Sequence, residues 1–273
     1  QYSLYPRLSV RGNLEFPLKS KVRNFSSDEI ERRVNKAAET LQITKLLDRK
    51  VERLSGGEMQ RVSIGRAIVR EPRVFLMDEP LSALDAKLRE ALRVELKKLH
   101  TELKATFLFV THDQVEAMSM GDKIGVLNRG KLVQVGTPAE VYHNPCNTFV
   151  ARAVGSPPMN LFDARVAGGQ MEIGSVKVPV GANGTALDGR DLTVGVRPEN
   201  IRLENGAPVS ARVFDIEDHG VVKILTMQVG EDKVHATVPA KTVVRLDETV
   251  QFGWQPEKTL LFDRQSGTNI STQ

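Results

Sequence analysis

The chain has 273 residues, which at about 150 residues per domain points to two domains. Hydrophobic residues make up 40% and charged residues 26%, an ordinary balance for a folded protein, and the 5% aromatic content argues against an aromatic-rich binding surface. A net charge of +4 is too evenly mixed to be a nucleic-acid signature and equally suits an anionic ligand or a membrane surface, while no apolar run approaches the roughly 18–20 residues that cross a bilayer.

The chain opens without Met, inside a turn-rich loop and with no signal-peptide pattern, so the expectation is a fragment whose first part is missing. Ser26-Ser27-Asp28-Glu29 reads as a capping box, followed by Ile30, Val34, Ala37, Ala38 and Leu41 at helical spacing. Gly56-Gly57 precedes a second helix, with Val62, Ala67 and Ile68 on a buried face, and Pro72 ends it. Val74-Phe75-Leu76-Met77 is a buried-strand run that stops at Asp78-Glu79-Pro80. A long helix follows, with Leu88, Leu92, Leu96, Leu99 and Leu103 on one side. Thr106 to Val110 is a second buried strand ending at Thr111-His112, and Asp113 to Met118 starts another helix. This alternation predicts an α/β layer with a parallel sheet, whose strand ends place both polar clusters where such sheets bind ligands.

The pattern then changes. Lys123 to Val135 carries Asn128-Arg129-Gly130 between two apolar stretches, a hairpin signal. The single cysteine, Cys146, cannot form an internal disulfide, which points to a reducing compartment. Gly155-Ser156-Pro157-Pro158 reads as a linker. Beyond it, short Val/Ile/Leu-rich runs alternate with turns such as Gly168-Gly169, Gly181-Ala182-Asn183-Gly184 and Glu204-Asn205-Gly206, the pattern of a small all-β barrel or sandwich.

Four features carry chemistry. In Leu54-Ser55-Gly56-Gly57-Glu58-Met59-Gln60-Arg61, paired glycines before a helix let backbone N–H groups approach an anion, and the Ser55 hydroxyl can donate to a phosphate oxygen; a plain loop and cap would look the same. In Val74 to Pro80, Asp78 can orient Mg²⁺ through water and Glu79 can polarise an attacking water, and a solvated acidic turn is the alternative. Ser82-Ala83-Leu84-Asp85 is the third feature. His112, just past the second strand, is either structural or a donor to a terminal phosphate.

Together and in this order, these features resemble the ATPase subunit of ATP-binding-cassette transporters. Leu54 to Gln60 looks like the signature motif, with Glu58 where the most common version has Gln. Val74 to Glu79 looks like the Walker B strand, Ser82 to Asp85 like the D-loop, and His112 like the switch histidine. Tyr2-Ser3-Leu4-Tyr5-Pro6 with Leu8-Ser9-Val10 is similar to the segment after the Q-loop glutamine of sugar-importer ATPases, and Asn13 to Leu54 resembles their helical subdomain. Gly155-Ser156-Pro157-Pro158-Met159-Asn160 and Gly195-Val196-Arg197-Pro198-Glu199 resemble the regulatory β domain of the carbohydrate and glycerol-phosphate group, the maltose-importer ATPases included. The implied organisation is residues 1–154 as the C-terminal part of an ATPase domain and 155–273 as an OB-like TOBE domain.

The resemblance implies ATP and Mg²⁺ as cofactors and a head-to-tail homodimer. Ser55, Gly56, Gly57 and Glu58 would then serve the ATP of the partner subunit. Glu79 would orient or deprotonate water, Asp78 would position Mg²⁺, His112 would contact the γ-phosphate and Asp85 would communicate across the dimer. It also implies two membrane permease subunits, a periplasmic or extracellular binding protein beyond them, and a peripheral place on the cytoplasmic face of the inner membrane. The family's phosphate-binding loop, Gly-x-x-x-x-Gly-Lys-Ser/Thr, is not present. Its nearest match, Gly125 to Leu132, ends in Leu and lies in the expected hairpin, so the fragment by itself is expected to be inactive. Two other readings compete: a soluble cassette protein of DNA repair or translation, and a degenerate cassette joined to a ligand- or nucleic-acid-binding β-barrel. The latter lacks basic-aromatic interleaving, and no nucleic acid is expected. The resemblance implies that the β domain is first a dimer-stabilising and regulatory module; in a second reading, ligand or oxyanion sensing, Arg197 and His219 are candidate contacts, with an Arg197–Glu199 ion pair as the alternative for Arg197.

Overall fold

The computed structural model describes residues 3–20, 24–82, 84–103, 105–173, 176–179 and 187–271. Gln1, Tyr2, Ala83 and the turn expected at residues 181–184 lie outside the described residues. The chain divides into two compact units, residues 1–120 and 121–273.

The first unit begins with α1 (Val10–Glu15), capped by Ser9 and too short to show a period in the sequence. α2 (Ser27–Thr40) starts where its cap predicts, with the Glu29 N–H donating to Ser26 Oγ at 3.2 Å. The capping box is only half formed. The Glu29 carboxylate turns to Arg32 and Arg33, at 2.8 and 2.5 Å, because charge-assisted bonds to guanidinium outcompete a neutral backbone amide. α3 (Gly56–Ile68), β1 (Val74–Asp78), α4 (Ala86–Leu103), β2 (Thr106–Val110) and α5 (Gln114–Met120) follow. β1 and β2 pair in parallel, from Val74 opposite Thr106 to Asp78 opposite Val110.

One face of this two-stranded sheet enters the core. Phe75 and Met77 lie in the same cluster as Val62 and Ile68 of α3 and Leu92, Leu96 and Leu99 of α4. The apolar runs read as strands buried on both faces, but side chains alternate along a strand. Val74, Leu76, Leu108 and Val110 therefore fall on the opposite face, where Leu76 is 75% exposed.

The second unit opens with the expected hairpin, β3 (Ile124–Asn128) and β4 (Lys131–Gly136). Arg129 and Gly130 both take positive φ at its turn, as a type I′ connection requires. Two short helices follow, α6 (Pro138–His143) and α7 (Thr148–Ala153). The remainder is all β. β5 (Asn160–Ala167), β6 (Gln170–Ile173), β7 (Val176–Pro179) and β8 (Asp191–Val196) join β14 (Thr259–Asp263) in a sheet of order β14-β8-β5-β6-β7. β9 (Arg202–Leu203), β10 (Val209–Asp218), β11 (Val222–Val229), β12 (Asp232–Pro239) and β13 (Thr249–Gly253) form the other, β12-β11-β10-β13-β9. Val166, Leu192 and Val194 of the first sheet share one core with Leu225, Met227, Val234 and Phe252 of the second.

Residues 121–154 pack with the β-rich part because backbone and side-chain bonds fasten them there. The Thr148 N–H donates to Gly267 O at 2.9 Å, Asn269 N–H to Cys146 O at 2.9 Å, and Asn269 Nδ2 to Pro145 O at 2.8 Å. Arg197 completes the fastening. Its guanidinium lies over the Tyr142 ring at 3.9 Å and donates to the carbonyls of Tyr142, Ala151 and Val154.

Candidate functional site

The site is built at the carboxyl ends of β1 and β2. The parallel pairing runs one residue past β1, where the Glu79 N–H donates to Val110 O at 2.8 Å. Glu79 itself turns into positive φ (45°), a conformation that costs energy for a residue with a Cβ and clusters at functional sites. The turn brings Glu79 Oε1 to 2.9 Å from Nδ1 of His112, with both side chains open to solvent. The hydrogen bond to Glu79, and then the Glu79 charge, raises the His112 pKa above its ordinary value. With Nδ1–H donated to the carboxylate, Nε2 is an acceptor in the neutral ring and a donor in the imidazolium. Asp78 sits beside this pair, exposed at the last position of β1.

The second component is the N-terminus of α3. Ser55 caps it with a complete capping box: the Glu58 N–H donates to Ser55 Oγ at 3.3 Å, and the Ser55 N–H donates to Glu58 Oε2 at 2.8 Å. That backbone donor holds the Glu58 carboxyl below its ordinary pKa. Ser55 and Gly56 are exposed, so N–H groups of the first turn face solvent beside a favourable helix potential.

The two components meet through Gln60, which sequence reasoning gave no role, and are steadied by Gly57 and Asp85, which it had singled out, and by Thr111 and Glu116, which it had not. Gln60, buried in α3, donates Nε2 to Glu79 O at 3.4 Å and to Pro80 O. A Cβ on Gly57 would lie 3.2 Å from Leu84 Cδ2, so glycine permits the close approach of α3 to Leu84. Asp85 accepts the Leu88 N–H at 2.9 Å and caps α4. Thr111 donates to the buried Glu116 at 2.7 Å, steadying the residue before His112. A polar residue among the buried Val62, Ile64 and Ile68 of α3 is the signal that could have found Gln60; Glu116, the one buried residue of α5 among the described residues, has no such apolar pattern around it.

These groups fit part of a nucleotide site. Among the described residues no group of three or more His, Cys, Asp or Glu could hold a metal ion. Mg²⁺, however, takes one or two carboxylates plus water and phosphate oxygens, so Asp78 is an adequate protein contribution. In the second unit, neither sequence reading of Arg197 holds. The carbonyls take its guanidinium, burial lowers its pKa, and Glu199 instead accepts the Tyr142 hydroxyl at 2.8 Å. Burial of the Tyr142 hydroxyl itself, and then its bond to Glu199, pushes the Tyr142 pKa up to about 12. His219 faces Glu217 at 3.4 Å, a carboxylate that disfavours an oxyanion ligand there.

Family models match three parts of the chain: ABC transporter over residues 1–82, MalK OB fold domain over 155–201, and TOBE domain over 194–262. The chain is 44% identical to the trehalose/maltose import ATP-binding protein MalK of Thermococcus litoralis, covering 98% of this chain and 76% of that protein. It is 44% identical to the sn-glycerol-3-phosphate import ATP-binding protein UgpC of Ruegeria pomeroyi, covering 99% and 76%. It is 43% identical to the xylose/arabinose import ATP-binding protein XacK of Haloferax volcanii, covering 100% and 73%.

Proposed function

We propose a function for a chain that belongs to the ABC-transporter family, among the ATP-binding subunits of sugar and glycerol-phosphate importers: it couples ATP hydrolysis to import of a sugar, polyol or glycerol phosphate. The observation that supports this most is the Glu79–His112 pair at the strand ends, linked through Gln60 to the helix that Ser55 caps.

In this reading Glu79 accepts a proton from the attacking water and orients it. His112, donated through Nδ1 to Glu79, presents Nε2 to the γ-phosphate. The raised pKa keeps the ring an imidazolium, and so a donor at Nε2, to a higher pH than an ordinary histidine. Asp78 would hold Mg²⁺ through water, and the ion would supply neutralisation of phosphate charge. Ser55, Gly56 and Gly57 donate to the ATP of a partner subunit, Glu58 shapes that loop, and Asp85 lies in the turn that faces the partner. Residues 1–154 form the ATPase part and 155–273 the regulatory TOBE part.

The partners of this reading are a second ATPase subunit, two permease subunits and, through them, a binding protein. No helix among the described residues is long and apolar enough to cross a membrane, which suits a subunit held peripherally on the cytoplasmic face by its permeases.

These 273 residues contain no Gly-x-x-x-x-Gly-Lys-Ser/Thr loop, so the hydrolytic groups stand without the main phosphate cradle. The purified 273-residue chain is expected to release phosphate from MgATP at background rate. Robust Mg²⁺-dependent turnover that Glu79→Gln abolishes would overturn this part of the proposal.

A further inference from the structure

Arg89, on the first turns of α4, lies between the two segments that carry the hydrolytic pair. Its Nη2 donates to Leu84 O at 3.0 Å and its Nε to Leu81 O at 3.4 Å, holding the turn that follows Glu79. On its other side stand the acids of the segment after His112. Asp113 Oδ2 lies 3.8 Å from Nη1, and Glu116 Oε1 lies 3.9 Å from Nε. Glu116 is buried, and its other oxygen accepts the Thr111 hydroxyl, which in turn accepts the Asp113 N–H at 3.0 Å. One planar guanidinium thus contacts two carbonyls and two carboxylates, a geometry that the point charge of lysine cannot reproduce.

We propose that Arg89 is a positioning residue for the hydrolytic pair: it clamps the carbonyls of Leu81 and Leu84 to the Thr111–Glu116 segment and so sets the distance between Glu79 and His112. The proposal rests on the reading of that pair as the hydrolytic site. Arg89 touches neither the water nor the phosphate in this account. It acts through the backbone on one side and through Glu116 and Thr111 on the other. The first carbonyl that it holds lies two residues after the strained Glu79, where a loosened backbone would relax the positive φ and withdraw the carboxylate.

The His112 ring reports this directly. The groups that face it are Glu79, Asp113 and Glu116, all acids, and each favours the imidazolium. Removing the Arg89 charge by Coulomb effect alone leaves Asp113 and Glu116 less compensated and raises the His112 midpoint. Loss of the Glu79 contact lowers it. The two explanations therefore predict opposite signs.

The experiment is an NMR pH titration of His112 in the full 273-residue chain, for the parent and for Glu79→Gln, Arg89→Ala and Arg89→Lys. Folding of each variant is checked by circular dichroism. The expected result is a fall of the His112 midpoint in Glu79→Gln, a fall at least half as large in Arg89→Ala, and a smaller fall in Arg89→Lys. If Arg89→Ala does not fold, Arg89→Lys alone decides by the same sign. A midpoint that is unchanged or raised in folded Arg89 variants overturns the clamp. A midpoint unmoved by Glu79→Gln overturns the pair itself, and with it the functional reading, whatever Arg89 does.

Discussion

Asn160 uses its side-chain amide to join the two sheets of the second unit. Its Nδ2 donates to Val196 O at 3.2 Å in its own sheet and to His235 O at 2.8 Å in the other, while its Oδ1 accepts the His235 N–H at 2.7 Å. It is buried, so an apolar replacement would strand the backbone groups of His235 away from water. Asn160→Leu is expected to cost about 1–3 kcal/mol for each stranded group, read as a lower urea midpoint of the 273-residue chain; an unchanged midpoint would show the brace to be dispensable. The sequence motif containing Asn160 was legible, but its bond to His235, 75 residues away, was not. Arg197 shows the same limit. Its type and motif were visible, while its carbonyl partners come from the 142–154 segment, and no local pattern encodes a contact of that kind.

Among the elements, the N-terminus of α3 is where stability and function meet. Ser55 and Glu58 reciprocate as a complete capping box, whereas Ser26 and Glu29 form only half of one because two arginines compete for the acid. Both start with the same residue types, so the difference lies in the side chains one turn further on. Ser55→Ala removes one bond of the box and is expected to cost about 1 kcal/mol, measured as a fall in the thermal midpoint. The Glu58 carboxyl has a lowered folded-state pKa, chiefly through the Ser55 N–H. Its contribution is therefore present above the unfolded carboxyl value and lost as pH falls through the folded one. Long periodic elements, α2, α4 and the two parallel strands, were readable from apolar spacing. The six-residue helices α1, α6 and α7 were not, since less than two turns cannot display a period.

At the scale of the whole molecule, the change of pattern after Met120 and the segment 155–158, expected from its composition to be a linker, mark different divisions. The compact units part at residue 120, because α6 and α7 are bonded to Arg197 and to the chain around Gly267 and Asn269, and the hairpin is bonded through Gln134 to Asn144 and Cys146. The order of motifs was enough to name the family from the sequence, since each motif falls at a strand end or helix start that the fold keeps. What the sequence could not show is how the motifs touch: Gln60 and Arg89 do so through backbone carbonyls that have no signature in composition. The claim that joins these scales is that Glu79 activates the water that attacks ATP. Its most direct test is steady-state MgATP hydrolysis by a membrane-assembled importer whose ATPase subunit carries these residues together with a phosphate-binding loop, with and without Glu79→Gln. That change keeps the side chain's shape and removes its basicity, so kcat should fall about a hundred- to ten-thousand-fold with KM little changed. A kcat within about twofold of the parent would contradict the account, since that is under 1 kcal/mol of transition-state stabilisation.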